Sequence, residues 1–310
     1  MPMHVKRIEL IVTNACTGRC KHCSNGDPAG LTRGHVQYDR LCGKIAALAR
    51  SHSVQSLMCF GGEPLLFPDD TLAIYQEAAE AGIPRLQLIT NGCFSNDDAV
   101  VAAVADRVAH SPVNDVLVSI DAFHQETLPL SRVRVFLEHA KKNGTCVRIH
   151  PAWLVSPAAD NVYNQRTKEI IASLSDLALE ENGGNVIFAA GRAITELSQY
   201  LAPVVFDPAF RCGDAPYTDP LDKCDTLSIE PDGSVAVCGF VIGNAYEQDL
   251  TEIADAFDPQ SDPAMRAILT GGIEGLISYA AGRGVPCPDT ACLTACGVCR
   301  ALVKALRAKT

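Results

Sequence analysis

Short apolar runs alternate with longer amphipathic ones through the first two thirds of the chain. The short runs, at 8–12, 54–60, 86–90, 116–120, 147–150 and 186–190, recur at intervals of roughly thirty residues. Each is rich in Val, Ile and Leu and largely apolar on both faces, as expected of strands buried on both sides in a parallel sheet. Between them, residues 38–50, 70–81, 97–110, 131–143 and 167–179 carry apolar positions three and four apart, which predicts helices. Six β/α units in succession predict an α/β fold built on a parallel barrel. A complete eight-unit barrel takes about 250 residues. Here the rhythm stops near Pro203, so the expectation is a partial (β/α)6 barrel of the TIM type over residues 1–202.

Residues 203–310 are patterned differently. Leu227, Ile229, Val235 and Val237 belong to two short strands, and Pro231-Asp232-Gly233 supplies the turn between them. Cys224 and Cys238 flank this hairpin at its open end, where they can meet. Helical stretches follow at 250–257, 263–269 and 273–281. A run containing Cys287, Cys292, Cys296 and Cys299 then leads into a basic final helix. The expectation for 203–310 is a small domain of a β-hairpin plus helices.

The polar groups of the first region cluster at strand ends. The first strand runs into a cysteine loop, the second into Gly61-Gly62-Glu63-Pro64 and the third into Thr90-Asn91-Gly92. The fourth ends in Ser119-Ile120-Asp121, the fifth in His150 and the sixth in Gly191-Arg192-Ala193. In parallel barrels the C-terminal ends of the strands build the active site.

Composition narrows the function classes. The net charge of −10 argues against a nucleic-acid partner, because phosphate binding needs a basic surface. Solubility is the plain reading of that charge. No apolar run approaches the ~20 residues of a membrane span, and the N-terminus lacks a signal-peptide pattern. A cytoplasmic location is expected, where 14 cysteines serve as metal ligands or buried thiols rather than as disulfides.

Three of them stand in Cys16-Thr-Gly-Arg-Cys20-Lys-His-Cys23. Three thiolates in so short a loop can hold three irons of a [4Fe–4S] cube, whereas a complete set is four. The loop therefore either finds a fourth ligand elsewhere or leaves one iron open to a small molecule.

This C-x3-C-x2-C loop after the first strand resembles the signature of the radical S-adenosylmethionine (radical SAM) superfamily. Gly61-Gly62-Glu63-Pro64 resembles that family's motif for the methionine amino group of SAM. Two glycines allow a close backbone approach, and a carboxylate with nearby carbonyls accepts from an ammonium. His22 stands at the position before the third cysteine, where the family more often has Tyr or Phe against the cofactor. Ser119, Asp121 and Arg192 in the Gly191-Arg192-Ala193 strand end resemble further cofactor-side positions, and Asn91 lies on the same rim as a candidate to join them. The resemblance implies a [4Fe–4S] cluster on Cys16, Cys20 and Cys23, with SAM chelating the open iron. It also implies reductive cleavage to a 5′-deoxyadenosyl radical, with an electron donor such as flavodoxin or ferredoxin.

The second region resembles SPASM and twitch domains, which carry auxiliary [4Fe–4S] clusters. Cys224 and Cys238 match the opening of that pattern, and Cys296 and Cys299 complete a four-thiolate site. One auxiliary cluster is expected rather than two, and zinc is the competing metal. Cys212, Cys287 and Cys292 are spare. Each is an auxiliary ligand, a hydrogen-atom donor to a substrate radical or a plain thiol, and Cys212 is the candidate catalytic donor. The expected reaction is hydrogen abstraction from a small polar molecule, an aminocyclitol or sugar, giving epimerisation or dehydrogenation. The absence of room for a leader-binding domain before the first strand supports that choice. The competing readings are a maturase of a ribosomally made peptide and a non-catalytic iron–sulfur carrier.

Overall fold

Strands β1 (Arg7–Thr13), β2 (Ser56–Gly61), β3 (Arg85–Thr90), β4 (Asp115–Val118), β5 (Cys146–Ile149), β6 (Ala152–Trp153), β7 (Glu180–Glu181), β8 (Asn185–Val186), β9 (Thr226–Ile229), β10 (Ser234–Val237) and β11 (Phe240–Asn244) follow in chain order. The computed structural model describes residues 3–25, 34–201, 207–215, 218–288 and 294–309. Cys292 and the expected boundary at 202/203 lie outside the described residues. The main sheet runs β11-β10-β9-β1-β2-β3-β4-β5-β7, and every pairing from β9 to β7 is parallel. From β1 the strands add in chain order, as in a partial parallel barrel.

Helices α1 (Tyr38–Leu41), α2 (Lys44–His52), α3 (Pro68–Glu80), α4 (Asp98–Ala109), α5 (Ala122–Gln125), α6 (Leu130–Ala140), α7 (Val162–Ala172), α8 (Ala193–Glu196), α9 (Leu250–Asp255), α10 (Pro263–Ala281) and α11 (Ala295–Arg307) fill the connections. None of the described helices is long and apolar enough to cross a membrane.

Local sequence explains the regular units. In α3, Pro68 opens the first turn and Thr71, Ile74, Tyr75 and Ala78 form the buried face. Tyr75 reaches the sheet: its hydroxyl accepts from Cys59 N at 3.1 Å and donates to Gln87 O. α4 starts at Asp97, whose carboxylate accepts from Ala99 N at 2.9 Å, and buries Val101, Val104, Ala105 and Val108. Each fully buried Leu, Ile or Val of this kind contributes roughly 1.5–3 kcal/mol.

The sequence pattern is modified at glycines and a proline. The helix expected at 38–50 is two, because Gly43 has φ 79° between α1 and α2. The helices expected at 263–269 and 273–281 are the two parts of α10, broken at Gly272 with φ 64°. The sixth strand, expected at 186–190, lies earlier, as β7 and β8. Gly183 and Gly184 have φ 85° and 69° between them and offset the chain there. The fifth strand jogs alongside, because Pro151 between β5 and β6 has no N–H for the ladder. A Cβ on Gly184 would fall 2.0 Å from Pro151 O, so the two jogs fit only with glycine there. β5 consequently pairs with β7, and β6 with β8.

Polar side chains also link the N-terminal ends of the parallel strands. Arg7 Nη1 donates to Gln87 Oε1 at 3.0 Å, and Gln87 Nε2 to Asp115 Oδ2 at 2.7 Å. Arg148 bonds both oxygens of Asp115, at 2.5 and 2.7 Å, and Arg85 reaches it at 3.1 Å.

The C-terminal hairpin extends the barrel sheet. β9 lies parallel to the outer edge of β1, pairing Arg7 with Thr226 and Leu10 with Ile229. This covers an otherwise open edge. It also sets a direction: Cys224 precedes β9, level with the start of β1, whereas the Cys16 loop follows the end of β1. At 3.3 Å per residue, the length of β1 separates those two levels by about 20 Å.

Candidate active site

The C-terminal ends of β1 to β5 surround a cleft of about 280 Å³. Cys16, Cys20 and Cys23 line it together with His22, Gly61, Gly62, Asn91, Ser119, Asp121 and Arg192. Of the residues expected at the first site, only Glu63 and Pro64 stand outside the lining, buried beneath it.

The cysteine loop is held from three sides. Gly62 N donates to Thr13 O at 2.6 Å and Glu63 N to Ala15 O at 2.8 Å. A Cβ on Gly62 would lie 2.1 Å from Ala15 O, so glycine is required for the second strand end to close on the cysteine loop itself. Asn91 Nδ2 donates to Thr17 Oγ1 at 3.1 Å and toward Cys16 Sγ at 3.6 Å. From the far side, Arg192 N donates to Cys23 O at 2.9 Å and its Nη1 to Arg19 O at 2.7 Å. Gly191, with φ 55°, permits that contact.

Glu63 is an internal brace. Its carboxylate accepts from Leu65 N at 3.0 Å, Thr90 Oγ1 at 2.7 Å and Asn91 N at 2.7 Å. Burial pushes its pKa up to about 7, against the lowering effect of these three donors. It thereby ties the second strand end to the third. Thr90 and Asn91 both belong to the polar third strand end expected from the sequence.

Asp121 is fully buried at the fourth strand end. It accepts from Phe123 N and His124 N, each at 2.9 Å, from Ala152 N at 3.0 Å, and pairs with His124 Nδ1 at 2.8 Å. Burial pushes its carboxyl up, but the His124 ring outweighs that and holds it below the usual range. The ring in turn is held well above its ordinary pKa: burial opposes the charge, and Asp121 and then Cys20 restore it. Cys20, His22 and His124 bring one ligand atom each within 4.8 Å of one another. Burial and the His124 charge lower His22 to about 4.

The donor set fits an iron–sulfur cluster. Gly18 N points at Cys16 Sγ from 3.3 Å and Asn91 Nδ2 from 3.6 Å, and N–H groups aimed at sulfur suit a thiolate that ligates metal. Burial, and then the Glu63 charge, push the Cys16 thiol up to about 12. Such a thiol loses its proton to solvent most readily when a metal ion takes its place on the sulfur.

His150 lines the same cleft, its ring held between Asn182 Oδ1 at 2.8 Å and Asn185 Nδ2 at 2.9 Å. The sequence offered His150 but not these asparagines, whose signal is only the Asn-Gly-Gly-Asn run at 182–185. Val155 lies beyond β6 in the left-handed region at φ 69°, and Asn164 fixes that loop through Leu154, Ser156 and Ala159.

A second thiol group forms elsewhere. Cys212, Cys224, Cys238, Cys296 and Cys299 approach closely enough that, after burial, neighbouring thiolate charge raises Cys212 to about 12, Cys224 to about 11 and Cys299 further. Cys238 follows β10 in the left-handed region at φ 52°, which turns the chain beside Cys224. Cys296 and Cys299 come from the first turns of α11. Phe210 O accepts from Ile273 N at 2.8 Å where α10 breaks, which docks the segment carrying Cys212. Four of these five thiols are the expected auxiliary ligands. Cys212 joins them and does not line the cleft, so its placement does not bring it to a substrate held there.

Residues 10–145 match the radical SAM superfamily profile. The chain therefore carries a radical SAM domain, and this family implies a [4Fe–4S] cluster and SAM. Among curated relatives, GTP 3′,8-cyclase of Chlorobaculum tepidum is 33% identical over 107 residues, 34% of this chain and 32% of that protein. GTP 3′,8-cyclase of Moorella thermoacetica is 26% identical over 125 residues, 39% of this chain and 36% of that protein. The aligned stretch thus spans about a third of the length of these relatives. Streptococcus suis SuiB bound to S-adenosylmethionine superposes with a TM-score of 0.54 at 13% identity, covering 96% of this chain and 78% of that one. Native anSMEcpe with bound AdoMet gives 0.51 at 13% identity over 80% and 79%. These structures share the partial-barrel fold.

Proposed function

We propose that this radical SAM protein removes a carbon-bound hydrogen from a small polar substrate of aminocyclitol or sugar type. The observation that carries the reading is the convergence of all three loop cysteines with Gly61, Gly62, Asn91 and Ser119 on one strand-end cleft. When bound, the cluster and SAM supply a 5′-deoxyadenosyl radical. In this reading Cys16, Cys20 and Cys23 hold three irons, and the Gly61-Gly62 edge and Ser119 receive SAM. Arg192 fixes the loop from the opposite wall, and Glu63 braces the floor. A hydroxylated, neutral face of the substrate fits better than several ammonium groups. Among the described lining residues the only carboxylate is Asp121, and its oxygens are already engaged.

Dehydrogenation leads over epimerisation. An epimerase must return a hydrogen atom to the substrate carbon, and among the described residues the thiols lining the cleft are those of the triplet. In a dehydrogenation the substrate radical loses a second electron and a proton. We assign Cys224, Cys238, Cys296 and Cys299 to an auxiliary [4Fe–4S] cluster as an electron acceptor. Flavodoxin or ferredoxin supplies the electron that starts each cycle.

Turnover of the reconstituted enzyme with candidate substrates in deuterated water tests this. A product two hydrogens lighter is expected. Solvent deuterium at one carbon would put epimerisation first. Reduction with SAM that yields no 5′-deoxyadenosine would leave an iron–sulfur carrier. A second reading, maturation of a peptide, draws on Val186 and Phe188, both cleft-lining and 43% and 45% exposed, which offer apolar contacts to a side chain.

A further inference from the structure

The turn Asn182-Gly183-Gly184-Asn185 is held at each of its four residues. Asn182 N donates to Ile149 O at 3.1 Å, and Gly183 O accepts from Trp153 Nε1 at 2.9 Å. Gly184 N donates to Asn182 Oδ1 at 3.1 Å, and Asn185 N to Pro151 O at 2.9 Å. Of the four, Asn185 alone lines the cleft. Its side chain is exposed and yet tethered, with Nδ2 2.9 Å from His150 Nε2. The neighbouring donors fix the sense of that bond. Gly184 N can only donate, so Asn182 Oδ1 is an acceptor, and His150 Nδ1, 2.8 Å from it, carries a hydrogen. The other ring nitrogen then accepts from Asn185 Nδ2. Asn185 keeps Oδ1 and one side-chain N–H, which have no partner among the described residues. An exposed amide ordinarily rotates freely, and ordering such a side chain on binding costs about 0.5–1.5 kcal/mol. Here the fold has ordered it in advance. An uncharged group with an acceptor and a donor left over suits a hydroxyl, which both donates and accepts. Asn185 belongs to β8, beside β6, so β3 and β4 lie between it and the Gly61-Gly62 edge assigned to SAM.

We propose that Asn185 is a specificity-determining residue that takes one hydroxyl group of a neutral polyol face of the substrate, and that His150, backed by Asn182, is the positioning residue that aims it. This assignment rests on the small polar substrate of the proposed function. A site built to hydrogen bond a substrate hydroxyl rejects the analogue that lacks it, because its own polar group is then left unpaired.

The test uses the reconstituted full chain and whichever of myo-inositol, streptamine, D-glucose and D-glucosamine wild type turns over, together with the monodeoxy analogues of that compound. Wild type is expected to disfavour one monodeoxy analogue by about tenfold in kcat/KM, the scale of one hydrogen bond. Asn185→Ala, which leaves the backbone bond to Pro151 in place, should lose that discrimination, chiefly through KM of the parent compound, and keep the others. His150→Phe keeps a ring and removes both nitrogens. It should weaken the same discrimination by itself and change nothing further when combined with Asn185→Ala. Retention of every discrimination in Asn185→Ala overturns the assignment, as does a loss that falls on SAM affinity instead of on KM for the parent compound. Additive losses in the double variant overturn the positioning role of His150. Turnover of none of the four compounds by wild type overturns instead the proposed function beneath it.

Discussion

The two ends of the parallel sheet are both polar, and they are polar in different ways. At the N-terminal ends of the strands, Arg7, Gln87, Asp115, Arg85 and Arg148 satisfy one another. At the C-terminal ends, three thiols face a cleft, His22 Nδ1 lacks a partner, and a buried ion pair stands beside Cys20. A closed network serves stability, whereas groups left open to a ligand serve chemistry. The prediction for each end is therefore the converse of that for the other.

The largest effect is expected at the open end. Cys16→Ala/Cys20→Ala/Cys23→Ala should abolish 5′-deoxyadenosine formation and remove about four irons per chain, with little change in thermal unfolding of the iron-free protein. Iron analysis and product chromatography check this; retained 5′-deoxyadenosine would break the contrast. At the closed end, Asp115→Ala should lower stability by about 3 kcal/mol, because it leaves Arg148 and Gln87 without their acceptor. Denaturant titration reads it. Folded variant should keep its 5′-deoxyadenosine yield per cluster.

Glu63 belongs to the open end by position and to the closed kind by bonding, and pH exposes that. Burial raises its pKa from 4.5 to about 7, so the native state holds the proton more tightly than the unfolded chain. The stability this confers is fully present below pH 4.5 and is lost as pH rises to about 7. The change amounts to about 3 kcal/mol. Glu63→Gln lacks this slope, so the stability of wild type minus variant should fall across that window in iron-free protein. A flat difference would show that Glu63 is not desolvated as described. The smallest effect is at Val155: glycine there relieves a left-handed β-branched residue and should stabilise by about 1 kcal/mol, measurable as a rise in Tm.

The sequence was most informative where the chemistry is local. The strands at β1, β2, β3 and β4 and the helices α3 and α4 fell within two residues of their expected starts, because each carries its own period, with Pro68 opening α3 and Asp97 capping α4. The later barrel strands were less legible. Two-residue strands such as β7 and β8 have no period to read, and their offset depends on Pro151 meeting Gly184 in space. At the site, the cysteine loop and Gly61-Gly62 announced themselves by spacing. Asn182 and Asn185 did not, since each acts by bonding His150 from a distant turn.

The sequence by itself determined a β/α rhythm, a three-thiol loop after the first strand and a glycine pair after the second, because these depend on residues within one turn or one strand of each other. Only the tertiary structure decided what those glycines approach, which is the cysteine loop, and what Asp121 holds, which is His124 beside Cys20. It also decided the company of Cys212. The parallel pairing of β9 on β1 sets Cys224 and Cys238 level with the start of β1, and Cys212 joins them there. Strand direction and register are long-range choices, made by the packing of whole elements, and no local spacing encodes them.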